Sequence, residues 1–274
     1  MLKLYRWLPS FKGKSRLGKL LFKNLLNKDK PLQFTAHKNI RYKIPNTFES
    51  LGVELLLHGI YEKAVVNFFI TCIKPGDIFF DIGANIGAIG LPVIKFKSNI
   101  QYFGFEASPV VFDFLKYNFI QNNIMHCELH NYVVHEHDNL PVKFYDSEQY
   151  GKSSLAPTYS GVAVSVNSIS LDQFCDVRHL SNINWIKVDV QGFELFVFKG
   201  MKNLLCNKKV ENIVFEFEFW AEEAAGFERG AAQKYLLETG YELFDLGGKK
   251  LPAILTTGRA MIWAKLSAEQ VTLL

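Results

Sequence analysis

Apolar residues follow two rhythms along this chain. Short runs at Ile78-Phe79-Phe80, Phe103 to Phe105, Met125 to Val134, Trp185 to Val190 and 211–220 (ENIVFEFEFW) read as buried strands. Between them, apolar positions recur three or four apart: Ile86, Ile89 and Ile94, then Phe112, Leu115, Phe119 and Ile120. That is the period of helices packed on a sheet. A further helical stretch, Phe48 to Cys72, is interrupted near Gly59, and another runs from Ala231 to Glu238. Strict alternation at Val142 and Phe144, and again at Val162, Val164 and Val166, predicts an antiparallel hairpin flanking a polar loop, Ser147 to Ser160. The chain finishes with strands Tyr241–Leu246 and Ala260–Leu266 around Gly247-Gly248. Strand–helix alternation ending in a hairpin implies an α/β, Rossmann-like fold with a mostly parallel sheet and an antiparallel last strand.

The chemistry gathers where this pattern turns from strand to helix. GDIFFDIGANIGAIG, from Gly76 to Gly90, is a strand, a tight glycine turn and a helix start, which brings bare backbone against a ligand. The spacing is D-x-G-x-x-x-G, not the G-x-G-x-x-G of a dinucleotide fingerprint. A carboxylate at Asp81 would repel a pyrophosphate but suits a ligand with an ammonium group and free hydroxyls. S-adenosylmethionine carries an amine, a sulfonium and a ribose, and fits better than a nicotinamide cofactor. Glu106 ends the next strand, 19 residues beyond Gly87, where an acid hydrogen-bonds both ribose hydroxyls. Asn131 and its neighbours end the third strand, where an adenine would be gripped. Asp189, at the end of the Trp185–Val190 run, faces the same crevice, and Glu216 and Glu218 share one side of a later strand.

The 274 residues suffice for one large core, and no apolar run reaches the length of a membrane span. The cysteines, Cys72, Cys127, Cys175 and Cys206, are scattered and read as free thiols of a reducing, cytoplasmic compartment. His126, His130, His135 and His137 lack matching acids or thiols, so they read as surface imidazoles and no metal site is expected from them. The net charge of +4 is unevenly placed: residues 1–30 hold nine lysines and arginines against Asp29, a local +8, leaving −4 elsewhere. With Leu4, Trp7, Leu8 and Phe11 between those charges, and Leu17 to Leu26 as a short amphipathic helix, the segment suits peripheral contact with an anionic membrane face. Nucleic acid is not expected as a partner of an otherwise acidic chain. Residues 1–47 read as a basic amphipathic extension and residues 48–274 as the main domain.

FFDIGANIG, FGFEASP and IKVDVQGFE, in that order and spacing, resemble the FkbM family of S-adenosylmethionine-dependent methyltransferases. Gly59-Ile60-Tyr61-Glu62 and the VSVNSISLDQF run fit as well, so the likeness spans roughly residues 50–220. It implies a seven-stranded methyltransferase sheet and O-methylation of a hydroxyl on a sugar, a glycan or glycolipid, or another small molecule. By the same likeness Asp81, Gly83, Ala84, Asn85 and Gly87 hold the methionine end, Glu106 with Ala107 the ribose, and Asp189 borders the methyl. Gln191 departs from the Glu often found there. A sugar hydroxyl is a poor acid, so a base or metal is expected. Asp189 is the first candidate base and Glu194 the second, and Asp189 with Glu216 could hold a divalent ion. Two rival readings remain: an NAD-dependent oxidoreductase on the same fold, and a non-catalytic, membrane-tethered binding module.

Overall fold

Phe79 and Phe80 point to opposite faces of one strand, and both are fully buried. A strand covered on both faces needs helices on both sides of its sheet, and the computed structural model has that arrangement. It describes residues 1–9, 11–26, 29–158 and 160–267. Two short helices, α1 (Leu2–Trp7) and α2 (Lys14–Leu21), precede a hairpin of β1 (Leu32–Thr35) and β2 (Arg41–Ile44). Helices α3 (Ser50–His58) and α4 (Lys63–Cys72) meet at a bend where Gly59 takes a positive φ of 76°. Strands and helices then alternate through β3 (Ile78–Ile82), α5 (Gly90–Phe96), β4 (Gln101–Phe105), α6 (Pro109–Gln121) and β5 (Cys127–His130). Three strands interrupt the rhythm: β6 (Val133–Val134), β7 (Pro141–Tyr145) and β8 (Ala163–Ile169). It resumes with α7 (Leu171–Arg178), β9 (Ile183–Val188), α8 (Glu194–Lys199), α9 (Lys202–Cys206) and β10 (Val210–Glu218). Helices α10 (Phe219–Ala224) and α11 (Ala231–Glu238) lead to β11 (Tyr241–Asp245) and β12 (Arg259–Leu266).

The main sheet has seven strands in the order β11-β12-β10-β9-β3-β4-β5. Only β12 runs antiparallel to its neighbours, as the sequence pattern predicts for the last strand. One face buries Phe79, Tyr102 and Trp185 against α4, α5 and α6, and the other buries Phe80, Phe105 and Phe215 with Phe174 and Phe198.

Two predicted elements come out differently. The run Met125 to Val134 is broken after His130, because the Asn131 side chain is engaged by carbonyls beyond β4 and the chain leaves the sheet. Val133 and Val134 pair instead with Ser168 and Ile169, beside the predicted hairpin of β7 and β8. The amphipathic helix predicted at Leu17 to Leu26 lies earlier, at Lys14–Leu21, beginning after Gly13 in a left-handed conformation.

Among the described residues before 48, buried apolar side chains pack with residues of the main domain. Tyr42 and Ile44 are buried in the same cluster as Phe79. Asn118, buried in α6, accepts from Lys43 N and donates to Lys43 O and Ile86 O at 2.7–3.0 Å. Asn118→Ala is therefore expected to cost about 1–3 kcal/mol, the penalty for stranding buried backbone groups. A urea midpoint that falls at unchanged slope is the expected result, and an unshifted midpoint would contradict this account of the clamp.

Candidate active site

Strand β3 is flanked by β4 on one side and β9 on the other, so the sheet changes direction there and a crevice opens at the carboxyl ends. Gly83 allows that crevice to close at its base: with φ of 74°, a Cβ there would lie 2.0 Å from the Asp189 carbonyl oxygen. Gly83 N and Ala84 N donate to Phe105 O at 3.0 and 2.8 Å, which ties the turn to β4. Asn85, also left-handed at φ 51°, donates its backbone N–H to Glu106 Oε2 at 2.9 Å. Glu106 Oε1 accepts from Ser108 N at 2.8 Å. Burial pushes the Glu106 carboxyl up to about 7, and these two N–H donors limit the rise. A cavity of about 420 Å³ lies over this floor, walled by Gly83, Ala84, Asn85, Glu106, Ala107 and Asp189.

The acids do not share it equally. Asp81 is fully buried beneath the loop and is absent from the wall, contrary to the expected direct contact with a ligand. Its Oδ1 lies 3.1 Å from Lys187 Nζ and its Oδ2 accepts from Tyr102 OH at 2.8 Å. Lys187 Nζ also donates to Gly83 O at 2.7 Å and lies 3.9 Å from Asp189 Oδ2. Asp81 thus acts on the site through a lysine. Gly87 is likewise set back, at φ 85°, where a Cβ would meet the Phe119 ring at 2.9 Å. Asn131 is off the wall too, its amide bridging the carbonyls of Glu106 and Ala107, and its neighbours Tyr132 and Val133 line the cavity in its place.

Glu194 is removed from the candidate bases by its contacts. It is buried, lies off the cavity wall, and its Oε1 accepts from Val190 N at 3.0 Å and Gly192 N at 3.3 Å. Burial pushes its carboxyl up to about 8, against those N–H bonds. It holds the turn after β9. Asp189 remains. Burial would raise its pKa, but the Lys187 ammonium, hydrogen bonding to Glu216 and Gln191, and Arg259 together hold it below the ordinary carboxylate value. Glu216 is driven the other way by burial and by the Asp189 charge, with Arg259 opposing. The Gln191 amide nitrogen donates to Asp189 Oδ1 at 3.0 Å and Glu216 Oε2 at 2.9 Å. A donor therefore occupies the position between the two carboxylates, and this set does not fit a divalent cation. Among the described residues no group of three His, Cys, Asp or Glu is placed to hold one.

A profile of the Methyltransferase FkbM domain matches residues 81–243, more than half of the chain, from the buried Asp81 to the penultimate strand of the sheet. The chain belongs to this family of methyltransferases. The hexuronic acid methyltransferase AglP of Haloferax volcanii is 26% identical over 154 residues, 53% of this chain and 58% of that protein. The chain therefore spans well under two thirds of that relative's length. Solved structures align at low identity. The precorrin-6y C5,15-methyltransferase of Geobacter metallireducens (TM-score 0.44, 12% identity) covers 85% of this chain and 94% of its own. A TehB-like SAM-dependent methyltransferase of Corynebacterium glutamicum (0.46, 12%) covers 78% and 93%.

An FkbM methyltransferase implies S-adenosylmethionine, and the walls offer complements to it. Glu106 lines the cavity with a carboxylate, a group able to accept from hydroxyls. Glu49, which sequence reasoning missed, lines the cavity with Oε1 taking Ser50 N at 2.7 Å and Ser50 Oγ at 2.6 Å. Its Oε2 is buried without a partner among the described residues. An orphaned carboxylate oxygen in a cavity wall matches the ammonium of an amino-acid ligand. Tyr61, Tyr150 and Lys187 also line the cavity and were not singled out as site residues, although Tyr61 lay in a noted motif and Tyr150 in the noted polar loop. That loop does overhang the site: Asn85 Nδ2 donates to Tyr150 O at 3.1 Å.

Removing Lys187 tests the buried pair. Lys187→Met strands Asp81 without its counter-charge and is expected to cost about 3–5 kcal/mol in urea unfolding. The double substitution Asp81→Asn with Lys187→Met should recover part of that loss. Equal stability of Lys187→Met and wild type would show that the pair carries no charge.

Proposed function

We propose that this FkbM methyltransferase transfers the methyl of S-adenosylmethionine to a hydroxyl of a sugar, in a glycan or glycolipid. The observation that carries the reading is the pairing, across one cavity, of Glu106 with its N–H-fixed carboxylate and Asp189 with its charge stabilised. The cofactor supplies an electrophilic methyl on a positive sulfur. Glu106 accepts hydrogen bonds from ribose hydroxyls, and Glu49 Oε2 takes the ammonium. Asp189 receives the proton of the acceptor hydroxyl. A carboxylate held at low pKa is a feeble base toward a free alcohol. The hydroxyl becomes strongly acidic only as its oxygen bonds carbon, so an ionised, well-placed acceptor suffices at that moment. Tyr61 and Trp220 in the same wall offer flat faces to a sugar ring, and Glu218 and Gln191 offer polar partners. The partial likeness to a hexuronic acid methyltransferase supports the sugar class.

Methyl transfer from labelled cofactor to uronic-acid-containing glycans tests the reading. The product is expected to be an ether that survives mild alkali. Asp189→Asn should lower kcat by about 10²–10⁴-fold with little change in cofactor affinity, the range for loss of a general base. An alkali-labile methyl would place the group on a carboxylate, which needs no base, and would overturn the hydroxyl assignment.

Cofactor affinity should also report on Glu106. The ionised form is the one that accepts two ribose hydroxyls, and its pKa is raised to about 7. Binding of S-adenosylhomocysteine in calorimetry is therefore expected to be full above that pH and to weaken as pH falls through it. Glu106→Gln should bind more weakly and with a flat pH profile across the same range. A wild-type profile flat from pH 6 to 8, on the order of one unit either side of the carboxyl's value, would remove Glu106 from the ribose site.

A further inference from the structure

The N-terminal arm has one face fixed to the domain and another facing solvent. Tyr5, Phe22 and Leu57 form a small buried cluster, with Tyr5 edge-on to Phe22 at 5.4 Å. Gly18 lies so close beneath Tyr5 that a Cβ would meet the hydroxyl at 2.4 Å. Arg6 turns inward and donates to Leu56 O from Nε at 3.0 Å and from Nη2 at 2.6 Å. Lys14 is buried and donates to Leu8 O. These contacts hold α1 and α2 against α3.

The opposite face is apolar and uncovered. Leu4, Trp7, Leu20 and Leu21 are 74%, 85%, 69% and 59% exposed, and Leu8, Phe11 and Leu17 are exposed beside them. On α2, Leu17, Leu20 and Leu21 stay exposed while Lys14 and Gly18 are buried. Lys3, Lys12, Arg16, Lys19 and Lys23 are exposed among them, within a segment carrying +8 on a chain otherwise at −4. An exposed apolar patch interspersed with lysines is a binding surface whose partner presents both negative charge and an apolar layer.

We propose that this face docks the enzyme on an anionic lipid bilayer. Trp7, Leu4, Leu20 and Leu21 enter the boundary between headgroups and acyl chains, and the exposed lysines pair with anionic headgroups. The buried anchors preform the face, so docking requires no folding step. The contact is superficial. The apolar helices α3 and α4, bent by 71° at their junction, bury Leu55, Leu56, Leu57, Val66 and Phe69 in the protein. The groove beside α2, lined by Lys19, Lys23 and Leu57, includes Ser50, which lines the catalytic cavity as well. The proposal concerns the arm alone and does not depend on which acceptor is methylated.

Sedimentation of the full chain with phosphatidylcholine vesicles, with and without phosphatidylglycerol, tests it. Binding is expected only to the anionic vesicles and should weaken in about 1 M salt, where the screening length falls to about 3 Å. Substituting Trp7→Ser, Leu20→Ser and Leu21→Ser together should lower the bound fraction at least about tenfold, since the apolar contacts carry much of such binding. Lys3→Glu with Lys19→Glu and Lys23→Glu should abolish the preference for anionic lipid. All these side chains are exposed, so S-adenosylhomocysteine affinity in calorimetry should remain that of the wild type in both variants. Absence of pelleting, equal binding to neutral vesicles, or binding indifferent to these substitutions overturns the proposal. So does light scattering that shows a dimer abolished by the same substitutions, which would assign the face to a second copy of the chain.

Discussion

The site depends on one buried ammonium. Lys187 is 3% exposed near the carboxyl end of β9 and holds Asp81, the Gly83 carbonyl and, at longer range, Asp189. A charge at that depth is tolerable only with close opposite charge and full hydrogen bonding. Burial works to neutralise the lysine, but Asp81 and Asp189 outweigh it and hold its pKa above the ordinary value. One cation thereby stitches the end of β3, the glycine turn and the end of β9 into a single piece. The geometry of the cavity floor follows from that stitch.

The two walls carry different electrostatics for different tasks. On the β4 side, burial raises the Glu106 carboxyl to about 7 against two N–H donors. On the β9 side, Asp189 has cations and an amide around it and stays ionised. Glu216 takes the raised pKa of that pair. Two interacting carboxylates share their protons as a unit, and the proton resides where charge is least supported. Gln191 matters here because its neutral amide joins the two oxygens without adding a third negative charge. The same amide fills the place where the sequence left room for a metal.

Much of this was legible in the residues. The parallel sheet follows from unbroken apolar strands spaced by helical periods, and Glu106 follows from its distance past the glycine turn. What could not be read was which way an acid points within its strand. Asp81 ends an apolar run in the register of a ligand contact, yet the pleat turns it toward Tyr102 in the core. Lys187 carries no mark of its role in the sequence, since a lysine inside a strand is ordinarily solvated and only packing shows it buried. Glu49 lies ahead of α3, where no periodic pattern marks it, and only packing shows that one of its oxygens is unpaired. Glu194 shows the converse error: an acid at a helix start near a catalytic strand looks available, and its oxygen is spent on the backbone N–H groups of its own turn.

The account stands or falls on where a cofactor product lies. A crystal structure of the chain with S-adenosylhomocysteine measures it directly. The ribose hydroxyls are expected on the Glu106 carboxylate, the ammonium at Glu49 Oε2 and the sulfur facing Asp189. A ligand bound with its ribose away from Glu106, or its sulfur opening onto a wall that lacks Asp189, would contradict it.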